Sequence, residues 1–186
     1  MPLRKKTIDF DEEIKRLESR REELLEQAAT LESGNPELQR LQSEGQTIDD
    51  RLAGVRWARD EAFDDSAVSV WDEDVDEIIL GGLTGREYGK VEDELGSAAS
   101  ERGVSLANGT ARIYLVARGT VSAPYVDGYD ETEELAATGE LPRQFLAWAE
   151  AHIDDLSTVG GSEGNEKPFS AALAEKRRTM SADEQS

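Results

Sequence analysis

The residues Gly81-Gly82-Leu83-Thr84-Gly85-Arg86-Glu87 follow the apolar run Ile78-Ile79-Leu80. Glycines between a strand and a helix are where backbone amides gather round a phosphate. A P-loop needs a glycine, four residues, and then Gly-Lys followed by a hydroxyl residue. Gly85 and Gly89-Lys90 stand one residue too close, and Val91 replaces the hydroxyl. The dinucleotide-binding glycine pattern fails too. Thr84 and Glu87 instead have the spacing of a capping box, in which the threonine oxygen accepts from a free first-turn amide and the glutamate reaches back to the cap. A strand, a glycine turn and a helix start are therefore predicted here.

Asp72-x-Asp74-x-Asp76 has the first three ligand spacings of a calcium loop. Glu77 stands where that loop needs glycine and Leu83 where it needs glutamate, so a solvated acidic turn is predicted. His152 is the only histidine, which rules out a histidine-rich metal site. Its place two residues before Asp154 predicts surface or interface packing. Nothing in the spacing of the many acids, Asp154-Asp155 included, identifies a positioned acid/base pair. No cysteine is present, which excludes disulfides and thiol chemistry. No catalytic, cofactor or metal residue is predicted, and the expected class is a non-enzymatic binding protein. Trp57, Trp71 and Trp148 are either a contact patch or core anchors.

Amphipathic helices must position these residues. Ile14, Leu17, Leu24, Ala28 and Leu31 form one stripe interrupted by Arg21, and Leu38, Leu41, Ile48, Leu52 and Val55 form a second, weakened at Gly45. Ser33-Gly34-Asn35-Pro36 between them supplies a terminating glycine, a capping asparagine and a proline at the first helical position. An antiparallel αα-hairpin follows, its stripes closing on each other and on the rest of the chain, or serving as a docking or dimerising coiled coil. Two short strands, 67–71 and 75–80, are predicted as a β-hairpin about the acidic turn. A helix is expected from 85 to 99. For 111–117 periodicity leaves strand and helix open, and Asn108 as a cap favours helix. Residues 124–128 read as a loop, 131–137 as a short helix, and Pro142 opens a clear helix ending near Gly160. The predicted fold is mainly α with a small β-hairpin (α+β). Its parts are a helical hairpin over residues 1–63, a β-hairpin with a helical domain over 64–175, and a charged, disordered tail over 176–186.

Composition narrows the class further. The 186 residues carry a net charge of -20, with 41 acids against 21 lysines and arginines. Scarce lysine and acids spread along the whole chain suggest a protein kept soluble in high salt, where screening quenches self-repulsion; the alternative is an acidic, partly disordered protein. Such a surface repels nucleic acid, and Arg4-Lys5-Lys6 reads as a solvated tail too short to reverse that. No run approaches the roughly 18 apolar residues of a membrane span. A soluble intracellular protein with no direct nucleic-acid or membrane partner is expected.

The order of elements around Leu83-Thr84-Gly85-Arg86-Glu87 resembles the tail assembly chaperones of long-tailed viruses, including those of haloarchaea. In that family a short β-segment ends in a Leu-Thr-x-x-Glu-like turn before a mostly helical domain. Residues 111–121 look like the family's following apolar helix and 139–157 like its later proline-started helix. The resemblance covers residues 68–169, and the N-terminal hairpin departs from it. It implies a protein of the host cytoplasm that keeps the tape-measure protein soluble while tail-tube subunits assemble, with those two as partners. Phe145, Trp148, Ala149 and Leu156 are the candidate client-binding residues, with core packing the first use expected of any one of them. The alternatives are a virion structural protein of the tail or head-tail connector, and a coiled-coil adaptor, self-association included.

Overall fold

A computed structural model of the chain describes residues 4–32, 34–62, 75–102 and 108–158. Along these residues run β1 (Lys5–Asp9), α1 (Phe10–Ala29), α2 (Pro36–Ala62), β2 (Glu77–Gly81), α3 (Gly85–Arg102), α4 (Asn108–Gly119), β3 (Thr120–Ser122), α5 (Glu131–Gly139) and α6 (Arg143–Ser157). The fold is mainly helical with a small antiparallel sheet, as the sequence predicts.

Local chemistry sets the helical hairpin. Asp9 accepts from the Glu12 amide at 2.8 Å and so caps α1. The helix therefore begins at Phe10, one turn earlier than its apolar stripe begins. Asn35 accepts from the Glu37 amide at 2.9 Å, with Pro36 at the first position of α2. The two helices run antiparallel, tied by Arg20–Glu44 and Arg21–Asp49 at 2.7 Å and by Arg56–Glu18 at 2.6 Å. Leu17, Leu24, Leu41, Ile48, Leu52 and Val55 are buried, so the stripes do close on each other.

The sheet corrects two expectations. Its order is β1-β2-β3, with β2 in the middle and antiparallel to both neighbours. The strand predicted at 67–71 lies outside the described residues, and the described partners of β2 are β1 and β3. The register Lys5↔Gly81 through Asp9↔Glu77 draws Lys5 and Lys6 into the sheet, where a solvated tail was expected. Their side chains stay exposed while Ile8 is buried, so the segment carries one inward apolar residue and was too polar to read as a strand.

The helices of the second half fall close to their predicted places. The segment 111–117 is helical within α4, and Pro142 stands just before α6. Asp130 opens α5 with a capping box, its carboxylate accepting from the Thr132 and Glu133 amides. α6 packs on α2, α4 and β2 together. At Gly54 on α2 the backbones come so close that an added methyl would sit 2.5 Å from the Gln144 carbonyl oxygen. Residues from every part of the described chain, from Ile8 and Leu17 through Val55, Val91 and Val116 to Ile153, share one core. The predicted division at residue 63 is therefore not a break in packing.

Candidate functional site

At the glycine turn, three backbone amides are already committed. The Leu83 amide donates to Ser157 Oγ at 2.8 Å, and the Thr84 amide donates to Glu87 Oε2 at 2.8 Å. Thr84 Oγ1 accepts in turn from the Glu87 amide at 3.2 Å, which completes the predicted capping box. These bonds from Thr84 hold the Glu87 carboxyl below its ordinary range. A side chain on Gly82 would overlap the Leu156 carbonyl at the end of α6. The glycine thus serves close backbone approach between the turn and α6. Thr84→Ala should cost about 1 kcal/mol of stability, read as a lower urea midpoint with an unchanged slope.

The predicted client residues on α6 face inward. Phe145, Trp148 and Ala149 are fully buried, and Leu156 is half-buried against the core. Their apolar width goes to the core, the first use expected of each of them, because α2, α4 and β2 cover that face from three sides. Phe145 meets Trp148 at 5.3 Å, Trp57 at 5.4 Å and Tyr125 at 5.8 Å between ring centres, and Trp148 meets Phe10 at 6.3 Å. Trp57 and Trp148 are therefore core anchors; Trp71 lies outside the described residues, as do Asp72 and Asp74. Burial raises the pKa of the Tyr125 hydroxyl, which shares a 2.9 Å hydrogen bond with Thr120 Oγ1.

One polar cluster sits inside this core, announced by no sequence motif. Glu13, 4% exposed, lies on the inner face of α1 among Phe10, Ile14 and Leu17. Its carboxylate accepts from Arg16 Nη2 at 2.6 Å and Nε at 2.8 Å, from His152 Nε2 at 2.9 Å and from Trp148 Nε1 at 3.3 Å. His152 is therefore an interior partner, where surface or interface packing was expected. Burial acts to raise the Glu13 pKa, but the bonds from Arg16 and His152 and their charges outweigh it and hold the carboxyl well below the ordinary range. A carboxylate and the imidazole it orients are also two of the three members of a catalytic triad, but here the imidazole ring lies edge-on to Trp148 at 5.2 Å and the carboxylate is saturated by donors. The cluster works as a clamp between α1 and α6. The one sequence signal was a glutamate and a histidine each standing on an apolar stripe, Glu13 three residues after Phe10 and His152 four after Trp148.

An open groove lies on each of two flanks of the hairpin. On one flank, Leu24, Leu25, Ala28, Leu41 and Gly45 line a groove of about 320 Å³, bordered by Arg21 and Asp49. Leu25 is 48% exposed there, one of three large hydrophobic side chains exposed among the described residues. The opposite flank holds a cleft of about 590 Å³ over Leu17 and Ile48, walled by Arg16, Arg20, Arg51 and Glu44. Gly45, which weakens the stripe in the sequence, opens the first groove by presenting no side chain. Among the described residues no cluster of three or more histidines and acids is placed to hold a metal ion, and no helix is long and apolar enough to cross a membrane. Comparison with protein-family models, curated proteins and solved structures finds no match to this chain.

Proposed function

We propose that this chain is a non-enzymatic tail assembly chaperone that holds the helical tape-measure protein in solution while tail-tube subunits gather round it. The observation that carries the reading is the apolar groove along the hairpin, where Leu25 stands open beside Leu24, Ala28 and Leu41. A groove between two helices, apolar at its floor and bordered by an ion pair, suits the apolar face of an amphipathic client helix. The order of β2, the capped turn and the helices α3 to α6 supports the same reading through its resemblance to tail assembly chaperones. The client contact moves from α6, whose apolar face is spent on the core, to the hairpin.

Co-expression with the tape-measure protein, followed by pull-down and measurement of the soluble fraction, tests the proposal. The client should stay soluble with the wild-type chain and precipitate with Leu25→Asp, which charges the groove without touching the core. Equal insolubility with and without the chain, together with its recovery in finished particles, would replace the chaperone by a structural component of the virion.

A further inference from the structure

We infer that the free edge of β1 receives an extended acidic strand of a partner protein, which joins the sheet beside β1. The site is separate from the hairpin groove and independent of the chaperone reading.

The register of the sheet leaves this edge unpaired. β1 is an outer strand, and β2 lies along only one of its two sides. The Gly82 amide donates to the Arg4 carbonyl at 2.9 Å, and the Phe10 amide donates to the Asp76 carbonyl at 3.0 Å. In an antiparallel ladder the bonding direction alternates from residue to residue, so Lys6 and Ile8 face β2 while Lys5 and Thr7 turn their N–H and C=O groups outward. Those four groups have no hydrogen-bond partner among the described residues. A strand laid alongside would satisfy them, as in β-strand addition.

The side chains set the chemistry of the occupant. Arg4, Lys5 and Lys6 are exposed and make no ion pair among the described residues, in a chain with 41 acids against 21 basic residues. Lysines on an edge strand discourage apolar strands from adding to it, and they leave it open to a strand of opposite charge. Lys5 and Lys6 project from opposite faces of β1, so the fitting strand carries acids at two adjacent positions, one for each face. The unbroken exposure from Lys5 to Thr7 leaves both faces clear at this end of the strand. Thr7 adds a β-branched neighbour for a β-branched residue of the incoming strand.

Amide exchange followed by NMR at single residues tests the edge. In the free chain Lys6 and Ile8 should be protected, and Lys5 and Thr7 should exchange rapidly. A short β-branched peptide with two adjacent glutamates at its centre should slow exchange at Lys5 and Thr7. It should bind about fivefold more tightly than its glutamine counterpart, from two opposite-charge pairs across the strands. Lys5→Glu combined with Lys6→Glu should abolish that preference while Ile8 stays protected. The glutamate peptide N-methylated through its centre keeps its charge but lacks the amides of a ladder, and it should not bind. Binding of the methylated peptide as tight as the parent would overturn the strand and leave only a charged patch. Failure of the glutamate peptide to bind, or a preference that survives the double charge reversal, would overturn the site. Thr7 protected in the free chain at every concentration would assign the edge to the chain itself, and protection that grows with protein concentration would assign it to a second copy. Either result would overturn the partner strand.

Discussion

Trp148→Ala should destabilise the protein by about 3–5 kcal/mol, the usual cost of emptying a buried tryptophan site. The ring is completely buried, packs against Phe10, Phe145 and His152, and donates to the Glu13 carboxylate. Truncation leaves a cavity at the meeting point of α1 and α6 and takes one donor from a buried charge. Against a typical net stability of about 5–15 kcal/mol, such a loss is a large share of the whole. Urea unfolding with an unchanged slope checks the size, and Trp148→Phe should recover most of the packing but not the hydrogen bond. A loss below about 1 kcal/mol would return this face of α6 to the surface and to client binding.

The second large effect centres on Glu13. Glu13→Gln keeps the shape but turns two acceptor oxygens into one, so one of the present donors faces an amide N–H. A cost of about 2–4 kcal/mol at neutral pH is expected from lost charge-assisted bonds and an unsatisfied buried donor. Its pH dependence has a definite sign. The folded carboxyl titrates below its unfolded value, so its contribution is fully present above the ordinary carboxylate range and is lost as pH falls through the lowered folded value. The gap in stability between the wild-type chain and E13Q should therefore be widest at neutral pH and narrow on acidification. Subtracting the variant removes the background titration of the other acids, which both proteins share. A gap that widens in acid would show that Glu13 is not held as a carboxylate.

What the sequence disclosed and what it hid divide by distance along the chain. Thr84 and Glu87 are three residues apart, and Asn35 and Pro36 are adjacent, so the spacing alone places both helix starts. The two hairpin stripes were legible for the same reason, since an apolar period is a local property. β1 was hidden because Lys5, Lys6 and Thr7 face solvent and only Ile8 of the strand is buried. The sheet partner of β2 depends on which distant segment reaches it, and no local pattern carries that information. The clamp was less legible still, because Glu13 and His152 lie 139 residues apart and each reads alone as an ordinary surface residue. The apolar face of α6 was visible, but whether such a face is covered or open depends on α2, α4 and β2.

The long separation within the clamp bears on how the chain survives its own synthesis. Trp148 and His152 are made 135 and 139 residues after Glu13, a delay of roughly 7 to 28 s at ribosomal rates of about 5–20 residues per second. Through that interval α1 and α2 can pair locally, while Phe10 lacks the Trp148 ring that α6 later brings. A charged, hydrated carboxylate one turn from that uncovered ring opposes its sticking to other nascent chains. Once α6 arrives, Trp148 and His152 add their N–H groups to those of Arg16, and the same charge becomes part of the interior. Glu13 thus serves as a temporary gatekeeper on the ribosome and as a permanent fastener afterwards, with no change of residue and only a change of company.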